Sequence, residues 1–261
     1  MIDPKKEILM AGDTKLSVGD LRNALDILKI KTGDVVCVHS QLFSLGKPLV
    51  GKEEFVETIV KVLQEIVGRE GMLIMPTFSY SFCKNEVYDM NKSPSTVGLM
   101  TEFFRNMSEV CRTAHPIFSF ALWGERKEEY LDIGPDAFGL DSVYGRMIQD
   151  GGKILMFGAN KGYTFYYLAE EHVNVSHRYF KNFSGKIIDD SGHIYTANIP
   201  YFVRDLSQKS DLNEEKLLKF LLKNDCQKQV GFGKGTLAVI DCCRAYDVLV
   251  KTLREEESSF L

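Results

Sequence analysis

Apolar residues along this chain fall into two textures. Short runs bounded by glycine or polar turns occur at 35–38 (VVCV), 71–75 (GMLIM), 118–124 (FSFALWG), 154–157 (ILMF) and 236–242 (TLAVIDC). Such runs predict strands buried on both faces, because a half-buried strand would alternate. Between them, apolar residues recur every three or four positions, which predicts helices. Residues 17–30 form the first, with Leu21, Leu25 and Leu28 on one stripe and Ser17 with Asp20 as an N-cap pair. Residues 53–67 carry Phe55, Ile59, Val60, Leu63 and Ile66 on a buried face. Further helical patterns occupy 98–107, 141–150, 213–224 and 244–254, and another starts at Thr164.

The texture changes after residue 179. Residues 183–203 show period-two segments around Asp189-Asp190-Ser191-Gly192, the pattern of a β-hairpin. Residues 81–96 are polar and irregular, which predicts a surface excursion lying over a site. No repeat, low-complexity tract or linker interrupts the chain. The expected architecture is α/β: a single domain over 1–261, with a central, mostly parallel sheet flanked by helices and an antiparallel β addition near 180–205.

Composition narrows the function classes. An apolar share of 44% and a charged share of 26% suit a globular protein with an ordinary core. The formal net charge of −4 gives no general reason to expect nucleic acid or an anionic membrane as a partner. No apolar run approaches the roughly 20 residues of a membrane span, and the N-terminus lacks a signal-peptide core, so a cytoplasmic location is expected. The cysteines show no CxxC spacing, and His172, His177 and His193 form neither HExxH nor HxH, so no metal is expected. Cys37 and Cys242 lie in strand-like runs and read as core residues. A GxSxG elbow is absent, and the GFGKG turn at 231–235 lacks the P-loop spacing.

Candidate chemistry concentrates in residues 153–179. Tyr163, Tyr166, Tyr167 and Glu170 recur at spacings of three and four, which places them on one helical face just beyond a strand. A carboxylate among tyrosine hydroxyls can position or deprotonate a substrate group; the same spacing also describes packed tyrosines beside a solvated glutamate. HSQL (39–42), PTFS (76–79) and the turn at 158–163 all follow strand-like runs, whereas CRTAHP (111–116) precedes one. Loops at the C-terminal ends of parallel strands converge, which would bring His39, Ser40, Thr77 and Glu170 to one cleft, with His115 approaching from its own loop. His115 is held extended by Pro116 and reads either as a general base or as a histidine bonded to backbone. Arg112 reads as an anion contact or as half of an ion pair.

Seven segments in order, VHSQLFSLG (38–46), GMLIMPTFSY (71–80), VGLMTEFFR (97–105), CRTAHPIFSFALWG (111–124), FGLDSVYGRM (138–147), GGKILMFG (151–158) and YTFYYLAEE (163–171), resemble the aminoglycoside 3-N-acetyltransferase family. The resemblance runs over roughly 17–250 and is weakest after 180. It implies acetyl-coenzyme A as acyl donor, an amine on a sugar as acceptor and direct transfer without an acyl-enzyme. It implies a coenzyme site built from His39, Ser40 and Gln41 of the first loop, Thr77 of the second, and Arg112 and Thr113 of the R-x-x-H-P loop. His115, Glu170 and Tyr167 are the catalytic candidates, and Tyr163, Tyr166, Asp141, Ser142 and Arg178 the acceptor-side candidates.

One position departs from the family pattern. A histidine is expected three residues before the glutamate, and this chain has Tyr167, a poor base near neutral pH. The surrounding tyrosines with Arg178 and Lys181 also look less acidic than a polycationic acceptor requires. Rings and arginines suit a base and a diphosphate. The favoured acceptor is therefore a nucleotide-linked 3- or 4-amino-6-deoxysugar for surface polysaccharide, with an aminoglycoside (antibiotic resistance) as the alternative. A binding protein that has lost catalysis is a third reading, and a homo-oligomer is left open.

Overall fold

Ser17 starts the first helix as its pattern predicts. Its Oγ accepts the Asp20 N–H at 3.2 Å, and Asp20 Oδ2 accepts the Ser17 N–H at 2.7 Å, so two end groups are satisfied reciprocally. In this computed structural model, which describes residues 1–261, strands β1 (Glu7–Ala11) and β2 (Thr14–Ser17) precede that helix, α1 (Val18–Ile27). There follow β3 (Val35–Ser40), β4 (Lys47–Pro48), α2 (Lys52–Val67), β5 (Met72–Pro76), β6 (Tyr88–Asp89), α3 (Leu99–Arg105), β7 (Cys111–Arg112), β8 (Phe120–Trp123) and α4 (Lys127–Leu131). The second half holds α5 (Val143–Gln149), β9 (Lys153–Phe157), α6 (Tyr166–Val173), β10 (Arg178–Ile188), β11 (Ile194–Arg204), α7 (Glu214–Lys223), β12 (Gln227–Phe232), β13 (Gly235–Asp241) and α8 (Cys242–Glu255). No helix is long and apolar enough to cross a membrane.

The central sheet runs β12-β13-β9-β3-β5-β8-β7. Only β9–β3 and β3–β5 pair in parallel; the other four pairings are antiparallel. The mostly parallel sheet expected from the sequence is therefore corrected to a mixed sheet, parallel only in its middle three strands. A strand buried on both faces is apolar throughout whichever way its neighbour runs, so its texture carries no direction. β8 comes back beside β5 after the long excursion from 77 to 119, and β13 enters from a hairpin with β12.

Alternate residues of these strands face two cores. Cys37, Ile74, Ile154, Met156 and Ile240 pack with Tyr144, Leu168, Leu217, Leu221 and Leu249 of α5 to α8. Val36, Val38, Leu73, Met75 and Leu155 pack with Leu21, Leu25, Ile59, Leu63 and Phe104 of α1 to α3. Each fully buried side chain of this size contributes roughly 1.5–3 kcal/mol before entropy is counted.

The hairpin of β10 and β11 stands at 180–205, as expected, and starts earlier, at Arg178. Its turn is closed by Asp189, whose Oδ1 accepts the N–H groups of Ser191 and His193. At the open end Arg178 is directly opposite Arg204. The 81–96 excursion is more than surface: buried Phe82 and Tyr88 anchor it, and β6 pairs with β10. Strands β1, β2 and β12 and helix α4 escape the sequence pattern because they are short or carry few apolar residues.

Losing the reciprocal cap should be felt throughout this two-layered core. Ser17→Ala is expected to cost about 1 kcal/mol and lower the melting temperature by about 2–4 °C, and an unchanged thermal unfolding curve would remove the cap from the account.

Candidate active site

The HSQL loop is fixed to the end of β9. Gln41 N–H donates to the Phe157 carbonyl at 2.9 Å, and Ser44 Oγ donates to the Gly158 carbonyl at 2.6 Å. Gly158 adopts φ +71°, and a Cβ there would stand 2.8 Å from the Gln41 carbonyl oxygen and from Ser44 Oγ, so only glycine fits. Facing this loop is the start of α3. Ser40, Gln41, Leu42, Phe43 and Ser44 on one side, and Gly98, Leu99 and Met100 on the other, line a groove of about 500 Å³. Phe43 and Leu99 are half exposed on its rim, where water-facing apolar groups are available to a ligand.

The remaining coenzyme candidates lie elsewhere. Successive strand residues point to opposite faces, so His39 turns away from Ser40 and into the core under α5. Its Nε2 is 3.2 Å from the Tyr144 hydroxyl, which also shares a 2.6 Å hydrogen bond with Thr164. Burial lowers the His39 pKa to about 4, so the ring is neutral. Arg112 is buried and acts as a clamp. Its Nε reaches Thr77 Oγ1 and Ser119 Oγ at 3.1 Å, Nη2 donates to the Thr77 carbonyl at 2.6 Å, and Nη1 donates to the Met90 and Ser93 carbonyls. The guanidinium also covers the Tyr88 ring, 5.1 Å from its centroid. Thr113 is equally structural, with its Oγ1 accepting the Phe120 N–H and its carbonyl accepting the Tyr88 hydroxyl. The single cleft expected to hold His39, Ser40, Thr77 and Glu170 is thus divided: of the coenzyme candidates, only Ser40 and Gln41 line the groove.

His115 is bonded to backbone. Its Nδ1 accepts the N–H groups of Ile117 and Phe118 at 3.2 and 2.9 Å, which closes the turn after Pro116. The proton therefore resides on Nε2, and burial lowers the pKa to about 4. A neutral ring with its basic nitrogen committed to backbone suits turn-holding better than proton abstraction. The ring borders a pocket of about 280 Å³ walled by Leu131, Ile133, Ile187 and Ile199.

On the acceptor side the helical face predicted for Tyr163, Tyr166, Tyr167 and Glu170 is mostly core. Tyr163 and Tyr166 border an interior gap of only about 10 Å³, too small for a ligand. Glu170 is fully buried: His177 Nε2 is 2.9 Å from Oε1 and Arg178 Nε is 2.5 Å from Oε2. Arg178, also buried, donates through Nη1 to the Phe202 carbonyl at 3.2 Å and lies 4.2 Å from the centroid of Tyr167. Ser142 caps α5 by accepting the Gly145 N–H.

Tyr167 alone of the four reaches toward the surface, within a cluster of rings drawn from four parts of the fold. Phe138 meets it edge-on at 5.5 Å, Phe118 touches Tyr80 at 5.5 Å and Phe138 at 4.9 Å, and Tyr201 packs on Phe118 at 4.9 Å. Burial pushes the phenols of Tyr80 and Tyr201 up to about 12, and raises that of Tyr167 against the opposing pull of Arg178. All three are neutral hydroxyls at physiological pH. Beside them lies a group that sequence reasoning missed. Glu171, one residue past the expected glutamate, meets Asp136 and Asp141 from the loop before α5, and its Oε2 is buried without a partner. Burial first, then Asp136 and Asp141, push its carboxyl up to about 9. The available signal was the pair of aspartates in GPDAFGLD, but only the fold brings them to Glu171.

Two variants check these assignments. Arg112→Ala strands the Met90 and Ser93 carbonyls and is expected to cost about 3 kcal/mol or more in denaturant unfolding; an unchanged midpoint would remove the clamp. His39 and His115, with folded values near 4 against an ordinary 6.5, hold stability that is present above pH 6.5 and lost as pH falls toward 4. His115→Asn keeps an acceptor for the two N–H groups and should make that acid loss shallower, whereas an identical acid profile would exclude His115 as a contributor.

The sequence pattern of the family described as aminoglycoside 3-N-acetyltransferase matches residues 37–254. Among characterised proteins, the chain is 29% identical over 174 residues to the SPbeta prophage-derived aminoglycoside N(3')-acetyltransferase-like protein YokD of Bacillus subtilis, covering 57% of this chain and 62% of that protein. It therefore spans less than two thirds of that relative's length. It is 23% identical to aminoglycoside N(3)-acetyltransferase VII of Streptomyces paromomycinus over 72% of each chain. Among solved structures, aminoglycoside acetyltransferase AAC(3)-Xa superposes with a TM-score of 0.77 at 20% identity, covering 88% of this chain and 90% of that one. AAC-IIIb, solved as a binary complex with CoASH, gives 0.76 at 21% identity over 91% and 96%. These structures share the fold, and with most of its length matched by the family pattern, the chain belongs to the aminoglycoside 3-N-acetyltransferase family.

Proposed function

We propose that this chain transfers an acetyl group from acetyl-coenzyme A to an amine of a polycationic amino sugar, an aminoglycoside rather than a nucleotide-linked sugar. The observation that carries the choice is the Asp136–Asp141–Glu171 carboxylate cluster beside the Tyr167 face. The acceptor side, read from sequence as poor in carboxylates, has three of them gathered by the fold. Of the two basic residues expected to bind a diphosphate, Arg178 is buried against Glu170, the Phe202 carbonyl and the Tyr167 ring, and Lys181 stands exposed on β10 over the Phe183 ring. Family membership, and the activity named for its relatives, support the same choice.

The donor fits the Ser40–Ser44 and Gly98–Met100 groove. Its hydroxyl and amide groups suit the polar parts of a pantetheine arm, and Leu42, Leu99 and Met100 suit its methylenes. The amine nitrogen attacks the thioester carbonyl carbon, the C–N bond forms, the C–S bond breaks, and the thiolate leaves with a proton from nitrogen. Two protons are released from the original ammonium in all, one of them before attack. The polycation is oriented by carboxylates, and ring faces at Tyr80, Tyr167 and Tyr201 offer a surface for the sugar's C–H side.

A thioester-cleavage assay against aminoglycosides and nucleotide-linked amino-deoxysugars tests this reading. Turnover is expected with an aminoglycoside such as gentamicin and little with any nucleotide sugar; the reverse pattern would sink it. Asp136→Asn keeps the oxygen that accepts the Phe138 N–H and removes only charge. It is expected to raise the acceptor KM about tenfold, the equivalent of 1.4 kcal/mol, while the donor KM stays constant.

A further inference from the structure

We propose that Glu171 is the proton acceptor for the attacking amine, placed by the register of α6 one turn beyond Tyr167 with its Oε2 free of any protein partner. This rests on the reading of the chain as an amine acetyltransferase. Residues four apart on a helix are neighbours on one face, so Tyr167 and Glu171 share the stripe that Glu170, turned inward, leaves. Phe138 covers Tyr167 while Asp136, two residues earlier in the same loop, meets Glu171.

The other titratable groups are already committed. His39 bonds Tyr144 in the core beneath α5, and His115 closes its turn. His172 is held between the Tyr246 hydroxyl and Arg254 of α8, His177 bonds Glu170, and His193 stacks on Tyr195 at the hairpin tip. Glu170 is fully buried between His177 and Arg178. Tyr80, Tyr167 and Tyr201 hold their protons. The charged groups facing Glu171 are Asp136 and Asp141 from the loop and Arg178 from β10.

The proton path follows. In the free protein Glu171 is protonated at neutral pH, since two neighbouring carboxylates and burial oppose its charge. A bound polycation cancels that opposition, and the Glu171 proton passes to solvent. The carboxylate then takes one proton from the acceptor ammonium, the freed amine attacks the thioester carbon, and the second proton leaves with the thiol. Glu171 returns its proton to solvent when the amide departs.

Two measurements on wild type and Glu171→Gln test this. The first is calorimetry of gentamicin binding, without donor, in two buffers of different ionisation heat near neutral pH. The second is the pH dependence of kcat for gentamicin acetylation. Wild type is expected to release a proton on binding. Glu171→Gln should still bind, release about one proton fewer, and lose about 100-fold in kcat together with the rising limb of its pH profile. Folding is controlled by thermal unfolding. A carboxyl raised to about 9 stabilises the fold below the ordinary carboxylate range and loses that contribution as pH climbs to about 9, so the glutamine variant should melt no lower than wild type in alkali. Near wild-type kcat with an unchanged pH profile in Glu171→Gln, or unchanged proton release, overturns the assignment and leaves the acetyltransferase reading standing. Absence of wild-type turnover with every aminoglycoside overturns both.

Discussion

Glu170 is fully buried, and the face of α6 proposed to meet the acceptor depends on how its carboxyl group is held. One carboxylate oxygen faces His177 Nε2 and the other faces Arg178 Nε. An unpaired carboxylate there would cost several kcal/mol, so each partner is required rather than merely favourable. The two partners are adjacent in sequence and begin β10, so the interaction ties the middle of α6 to the start of the hairpin. Arg178 then covers Tyr167, and the strand that follows brings β11 and Tyr201 to the aromatic cluster. The helix cannot turn about its axis without breaking this contact, and its outward stripe, Tyr167 and Glu171, is set as a result.

The groove proposed for the donor is organised by close backbone approach instead of charge. Gly158 ends β9 in a conformation and a space that admit no side chain, and the HSQL loop lies against it. The groove wall is thereby part of the sheet, and little ordering of the loop should be needed when a ligand enters. Arg112 of β7 and His115 of the loop before β8 do comparable work farther along the sheet edge, where buried donors and acceptors fix irregular chain.

Much of this was legible in the chain and some was not, for physical reasons. Ser17 with Asp20, the apolar stripe of α2 and the Asp189–Gly192 turn are local signals, and local hydrogen bonding and periodicity decided them. Strand direction was invisible because β5 and β9 bury both faces and read alike in either orientation. Ser40 and Gln41 were found at the groove because a strand end is a local feature. Arg112 and His115 carried the right residue types for chemistry, yet their partners are backbone groups whose approach no side-chain pattern records. Glu170 lies in the core and Glu171 near the loop aspartates because one residue of helix register separates core from surface. That register is set by His177, read as one of three histidines without metal-ligand spacing, and by Arg178, read as a substrate contact.

The hairpin register has a consequence for how the molecule assembles. Arg178 faces Arg204 across β10 and β11, and like charges directly opposite each other oppose pairing. Near the turn the ribbon has only local loops to close, so zipping can start at Asp189–Gly192 with little entropic cost. At its open end the two arginines resist, and they are relieved by carboxylates from elsewhere: Glu170 of α6 for Arg178, and Asp211 for Arg204. The base of the ribbon is therefore held closed by α6 docked on the sheet. Without Glu170 the two opposed arginines would favour splaying the strands there, beside the aromatic cluster.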